Sequence, residues 1–260
     1  MTASAASARR RAVILLHGWT MTGQAFDGLS AHLGERYPLI APDLPGHGAA
    51  LSQPPTLRQG AEVIAAEVAR LDGPPPVLVG WSMGAAMAWS YIARCGCDAL
   101  GGLVTVDMSP RMRNTSDWQH GLLGQSAADV AATTQRMQDD WQGVTHSIAA
   151  TMFATPAGAP GFDREAARAA ILTQDAEVMR AAWDALLALD ARPTIPRIDC
   201  PYLVCRGAHS RVYPASATQW ICDHAPDARM HVFEHSGHSP HLEEPAEFAR
   251  VLTRFAQSLD

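Results

Sequence analysis

The sequence predicts an α/β protein, a mostly parallel sheet flanked by helices and carrying a helical insert. Three observations predict it. Short runs rich in Val, Leu and Ile recur along the chain, and longer stretches of helical pattern alternate with them. Between Val106 and Tyr202 the short runs stop while the helical windows continue. Such alternation is what a parallel sheet wrapped by crossover helices requires.

Taken in order, the strand candidates are Ala12–Leu16, Leu39–Ala41, Val77–Gly80, Leu103–Val106, Tyr202–Cys205 and Met230–Phe233. They are continuously apolar rather than alternating, as strands buried on both faces are. Crossover helices are expected near Leu57–Leu71, Met83–Arg94, Ala215–His224 and Pro245–Ser258. Pro245 falls in the first turn of its helix, where its missing N–H costs nothing. Pro74-Pro75-Pro76 is a stiff lead into the third strand. The stretch after Val106 contains Trp118, Trp141, Met152, Phe153 and Trp183, with helical windows such as Arg164–Thr173 and Glu177–Asp190. A structureless loop of that length is improbable in a compact domain. The expected division is therefore an N-terminal arm (1–11), a core built from 12–110 and 197–260, and a helical insert (111–196) whose exit is marked by Pro193 and Pro196.

Composition excludes several chemistries. The 260 residues include 20 basic ones, every one of them Arg. Without lysine there is no Walker-A phosphate lysine, no Schiff-base lysine and no Ser-Lys dyad. A net charge of −6 argues against a nucleic-acid partner, which calls for clustered positive charge. The one basic run, Arg9-Arg10-Arg11, reads as part of a solvated arm. No apolar run approaches the roughly 18–20 residues of a membrane span. Ala12–Leu16 is too short for a signal-peptide core, so a cytoplasmic protein without a membrane partner is expected. The five cysteines form no regular framework and read as reduced thiols. Cys95-Gly96-Cys97 lacks a second Cys/His pair at ligand spacing, so no metal and no cofactor is expected.

The strongest chemical signal is Gly80-Trp81-Ser82-Met83-Gly84, placed between a strand and an apolar helix. This is G-x-S-x-G in its strand–turn–helix context, with a turn so tight that glycines must flank it. It presents Ser82 as a nucleophile above the sheet edge. A serine hydroxyl needs a base to take its proton. The segment Phe233–His241 offers His235, His238 and His241. His238, between Ser-Gly and Ser-Pro, has the turn that projects an imidazole over the sheet, whereas His235 and His241 read as structural or exposed. An oxyanion hole needs backbone N–H donors. Met83, just after the nucleophile, and Trp19, in the His17-Gly18-Trp19 loop after the first strand, are the candidates, with His17 bracing that loop.

Together these motifs resemble the α/β-hydrolase superfamily nearly end to end. The matching residues are His17–Trp19, Asp43-Leu44-Pro45-Gly46-His47-Gly48, the Ser82 elbow, the helical insert that relatives use as a lid, and the Gly237-His238-Ser239-Pro240 loop. In flavour the chain is similar to bacterial carboxylesterases near the pimeloyl-carrier-protein methyl esterases and cofactor-free haloperoxidases. The resemblance makes Asp43 part of a structural turn, and a serine at 82 argues against the dehalogenases and epoxide hydrolases that use Asp there. Two departures stand out. Because the first strand candidate starts at Ala12, a shortened form of the N-terminal hairpin common in the family is expected. The loop that usually carries the acid reads Gly207-Ala208-His209-Ser210-Arg211-Val212-Tyr213-Pro214, with Ser210 where the carboxylate belongs.

Asp107, directly after the strand Leu103–Val106, is the replacement expected from the position some relatives use. The order Ser82, Asp107, His238 keeps the family sequence of nucleophile, acid and base. The alternative role for Asp107 is to cap the following turn. On the catalytic reading Asp107→Asn cripples hydrolysis while Ser210→Ala leaves it largely intact.

Trp19, Met21, Trp81, Met83, Met108 and Met112 gather near predicted strand ends, implying an apolar acyl or alcohol pocket roofed by the insert. Arg111 and Arg113 open the insert and could pair with a substrate carboxylate. The expected activity is hydrolysis of a carboxylic ester, lactone or thioester of a small molecule through an acyl-enzyme. Two other readings stay open: the same fold used for carbon–carbon hydrolysis, perhydrolysis or lyase chemistry, and a non-catalytic ligand-binding relative. Oligomeric state carries no sequence signal.

Overall fold

A computed structural model describes residues 10–260. Its sheet has six strands: β1 (Val13–Leu16), β2 (Leu39–Ile40), β3 (Val77–Trp81), β4 (Gly102–Val106), β5 (Tyr202–Gly207) and β6 (Ala228–Phe233). Every neighbouring pair is parallel, in the order β2-β1-β3-β4-β5-β6. All six runs read from the sequence are strands, shifted at their ends by a residue or two.

Among the described residues ten α-helices accompany them. Before β4 come α1 (Asp27–Leu33), α2 (Leu57–Ala69) and α3 (Met83–Cys95). Between β4 and β5 lie α4 (Ala127–Asp139), α5 (Trp141–Thr151), α6 (Arg164–Leu172) and α7 (Ala176–Leu187). After β5 come α8 (Ala215–His224), α9 (Pro240–Glu243) and α10 (Pro245–Gln257). Each of α4 to α7 starts on an acidic or hydroxyl cap. Ser126 and Asp129 form a capping box, and Asp140, Asp163 and Asp175 accept from the first-turn amides of their helices. The polar α4 buries only Val130 and Met137, which is why its sequence shows little apolar periodicity.

The four inner strands β1, β3, β4 and β5 are buried almost throughout, as expected of continuous apolar runs, whereas the edge strands β2 and β6 are not: β2 is half-buried and β6 is buried only at Phe233. In β1, Val13 and Leu15 pack with α1 and α10 on one face, while Ile14 and Leu16 pack with α2 and α3 on the other. A buried network of Trp89 Nε1 donating to Tyr202 Oη (3.1 Å), with Thr105 Oγ1 2.7 Å from the same oxygen, joins α3, β4 and β5. Arg11 departs from the solvated-arm reading. Its guanidinium donates to the carbonyls of Pro75 and Leu259 and pairs with Asp260 at 3.0 Å, fastening the chain start to the core. Arg9 lies outside the described residues. Among the described residues no helix is long and apolar enough to cross a membrane.

The strand order reverses between β1 and β3, because the chain leaves β1 for one edge and returns to β3 on the other side. Ligand sites of open parallel sheets lie beyond the carboxyl ends of the strands at such a point. His17-Gly18-Trp19 follows β1 and Ser82 follows β3.

Candidate active site

Ser82 stands at the turn from β3 into α3 with φ 52° and ψ −115°, a left-handed backbone that costs a non-glycine residue about 1–3 kcal/mol. Its N–H donates to Val106 O at 2.9 Å, so the strained turn is fixed by the neighbouring strand. The flanking glycines are required by contact. A Cβ on Gly80 would lie 2.5 Å from Ala85 N, and one on Gly84 2.2 Å from Leu16 O.

The same construction recurs one strand over. Trp81 pairs with Val106 in the β3–β4 register, so the residues that follow, Ser82 and Asp107, leave adjacent strand ends side by side. Asp107 also has positive φ (47°), its N–H donates to Cys205 O at 2.9 Å, and its side chain is buried. Asp107 Oδ2 lies 2.6 Å from His238 Nδ1. An ionised carboxylate can only accept, so Nδ1 carries the proton and Nε2 is left as the basic nitrogen. The carbonyl of His238 accepts from Trp81 Nε1 at 2.8 Å.

The histidine loop is clasped from α9. Glu243 Oε2 accepts from Gly237 N (2.8 Å) and Ser239 N (3.3 Å), the amides on either side of His238. Its Oε1 accepts from Ala154 N at 2.6 Å, in the β4–β5 segment. Glu244 accepts from His235 N and Ser236 Oγ. Burial raises the pKa of Glu243 above its ordinary value, against the lowering effect of those three amides.

His17 braces the first loop through both ring nitrogens: Nδ1 faces Gly18 O at 2.9 Å, and Nε2 accepts from Leu44 N at 2.9 Å. Burial, reinforced by nearby His47, lowers its pKa to about 3. His47 accepts from Thr20 N at 3.3 Å and is lowered to about 4, again chiefly by burial. Both are therefore neutral at pH 7 and serve as braces. Asp43 accepts from Gly23 N and Ala49 N, the work of a turn. His235 lies on the exposed side, and His241 is buried beneath the loop against Trp81 (rings 4.5 Å apart) and Phe26 (4.8 Å).

Ser82, His238, Trp19 and Trp81 line one cavity of about 200 Å³, whose walls are mostly apolar. Met112 joins them, with Met137 of α4, Ile148 of α5 and Trp183 of α7 opposite. Trp19 is tied to α7 by its indole N–H, which donates to Met179 O at 2.9 Å. Met83 opens α3 beside Ser82, and neither its N–H nor that of Trp19 donates to a backbone carbonyl among the described residues.

Four residues expected at the pocket or its mouth lie elsewhere. Met21 is folded under the sheet with Phe26 and Leu29, because Thr20 takes positive φ (68°) and reverses the chain. Met108 points into the α3 side of the core after the turn at Asp107. Arg111 leans outward, 4.0 Å from Asp117. Arg113 borders a different surface depression. Cys95 is exposed and Cys97 buried, and among the described residues no group of three His, Cys, Asp or Glu side chains is placed to hold a metal ion.

Trp183, Tyr213, Arg211 and Glu243 carry no site motif in the sequence, and Ser210 stands out there only as the residue in the acid's usual place. Its hydroxyl is 2.6 Å from Asp107 Oδ2, on the same oxygen that faces His238.

The sequence profile of the alpha/beta hydrolase family matches residues 13–251. The chain belongs to the alpha/beta hydrolase family. One curated relative is the pimeloyl-[acyl-carrier protein] methyl ester esterase of Chromobacterium violaceum, 29% identical over 95% of this chain and 94% of its own. Among solved structures, the esterase EaEST from Exiguobacterium antarcticum superimposes with a TM-score of 0.87 at 22% identity, over 96% of this chain and 93% of its own. The bromoperoxidase from Bacillus anthracis gives 0.86 at 18% identity, over 96% and 93%. At such identities the two structures speak for the hydrolase fold alone.

Proposed function

We propose that this hydrolase cleaves small carboxylic esters through an acyl-enzyme, with Ser82 as nucleophile, His238 as base and Asp107 as acid. The observation that carries the reading is the 2.6 Å contact of Asp107 Oδ2 with His238 Nδ1 at the rim of the cavity that also holds Ser82. Nε2 of His238 takes the Ser82 proton as Oγ attacks the ester carbonyl. The buried Asp107 carboxylate offsets the imidazolium charge, and the N–H groups of Trp19 and Met83 receive the oxyanion. Collapse of the tetrahedral intermediate expels the alcohol, protonated by His238. Water then enters by the same base and releases the acid.

Residues 111–196 act in this scheme as a lid over the core formed by 12–110 and 197–260. Its Met112, Met137, Ile148 and Trp183 supply much of an apolar wall, which suits an alkyl or aryl acyl part. That curated relatives are named as methyl ester esterases agrees with a small alcohol leaving group.

Turnover of short-chain p-nitrophenyl esters, with covalent labelling by a fluorophosphonate, tests the proposal. Ser82→Ala should abolish both. Absence of both in the unmodified protein would exclude a serine hydrolase.

A further inference from the structure

We propose that Ser210 is a positioning residue of this site: its hydroxyl holds the Asp107 carboxylate turned toward His238. The inference rests on the triad proposed above and deepens it. Where relatives would carry an acid, this chain carries a donor to the acid.

The geometry fixes which way the hydrogen bond runs. Ser210 Oγ lies 2.6 Å from Asp107 Oδ2 and itself receives the N–H groups of Val212 (3.3 Å) and Tyr213 (3.4 Å). A hydroxyl has one proton and two lone pairs. With two amides pointing at its oxygen, the remaining proton is aimed at Asp107, and an ionised carboxylate is the partner that can use it. Oδ2 therefore stands between two donors, Ser210 Oγ–H and His238 Nδ1–H. Rotating the carboxylate away would break both at once.

The loop carrying Ser210 is tied to its surroundings on two sides. Ala208 N donates to Phe233 O (2.8 Å) and His209 N to Ser236 O (2.9 Å), both beside the histidine loop. Arg211 donates to the carbonyls of Ala150 and Phe153 at the end of α5. The hydroxyl thus reaches Asp107 from a loop already joined to the base side of the site.

The sequence alone leads one to expect Ser210→Ala to be largely intact, but with the hydroxyl 2.6 Å from Asp107 Oδ2 its removal should lower kcat by roughly 10-fold, the scale of one hydrogen bond to a charged group, and leave KM near its original value. It should also move the acid limb of the kcat/KM profile to higher pH. Oδ2 loses a donor that competes for its charge, so the Asp107–His238 pair holds a proton more tightly as a unit.

The experiment compares Ser210→Ala, Ser210→Thr and Asp107→Asn in the full chain, using a p-nitrophenyl ester. The expected result is a kcat loss with an upward acid limb in Ser210→Ala and near-original behaviour in Ser210→Thr, which keeps the hydroxyl. If Ser210→Ala matches the unmodified enzyme, or loses kcat with the acid limb unmoved, the positioning role is overturned. Near-normal activity in Asp107→Asn would instead overturn the triad.

Discussion

The proposed acid and the proposed base of this site are held by different means. Asp107 stands one residue beyond β4, and its place is set by the main chain: a positive φ, and an N–H bonded to the next strand. His238 sits farther along its loop, where no residue from 234 to 239 has positive φ. There the main chain is held by side chains, with Glu243 on the flanking amides, Glu244 on the loop entry and Trp81 on the carbonyl of His238. A strand end stores position in backbone strain, while a longer loop needs hydrogen-bonded clamps. It follows that the acid should be sensitive to its own chemistry, and the base to its neighbours.

The largest effect expected is that of Asp107→Asn. Asparagine tolerates left-handed backbone well, so the turn and the melting temperature should persist. The amide cannot stabilise imidazolium and favours the wrong tautomer, so kcat should fall on the order of 10⁴. Measuring kcat and thermal melting on one preparation separates the two. A loss below tenfold would mean that Asp107 caps its turn and that another group supplies the charge.

That Ser82, Asp107 and His238 stand out in the sequence as candidates has a local cause. A glycine-flanked elbow, the residue ending an apolar run and a Ser-Gly-His-Ser-Pro turn are all written in consecutive residues. The inner strands were legible because burial on both faces leaves continuous Val/Leu/Ile runs, while the half-exposed edge strand β6 showed only its apolar end at Met230–Phe233. The cavity wall was not, since it depends on how the chain turns after each strand and how distant helices fold back. Thr20 and Asp107 reverse direction and carry Met21 and Met108 into the core, away from the site. Trp183 reaches the cavity only because α7 packs against Trp19. Glu243 shows no pattern at all: its partners Gly237, Ser239 and Ala154 meet it only in the folded chain.

A smaller loss is expected from Glu243→Gln. The carboxylate uses both oxygens as acceptors, one for Gly237 and Ser239, the other for Ala154. A glutamine must turn its NH₂ toward one of these sets and oppose N–H with N–H. Either the histidine loop or the β4–β5 segment is released, and kcat should drop roughly 10-fold, as for one broken bond to a charged acceptor. Fluorophosphonate labelling of Ser82 should slow in step, since both report the base. Unchanged kcat would show that Trp81 and Glu244 suffice to hold His238.

The smallest effect concerns stability on the base side. His241 is fully buried under the loop, with neither ring nitrogen hydrogen-bonded among the described residues. Burial, then the neighbouring His238, lowers its pKa from 6.5 to about 3. Above pH 6.5 it is neutral in both folded and unfolded chains and adds no pH dependence. As pH falls below 6.5 the unfolded chain binds a proton that the folded one refuses, so stability is lost at about 1.4 kcal/mol per pH unit until the folded pKa is reached. His17 and His47 add slopes of the same sign, toward about 3 and about 4. His241→Phe keeps the aromatic stack with Trp81 and Phe26 and removes one of these three slopes. Relative to the unmodified protein, the variant should be within about 1 kcal/mol at pH 7.5 and gain roughly 2 kcal/mol more by pH 5. Thermal or urea melts at the two pH values read that difference directly. An equal offset at both would mean that His241 is protonated in the folded protein, and that the loop beneath His238 is open enough to hydrate it.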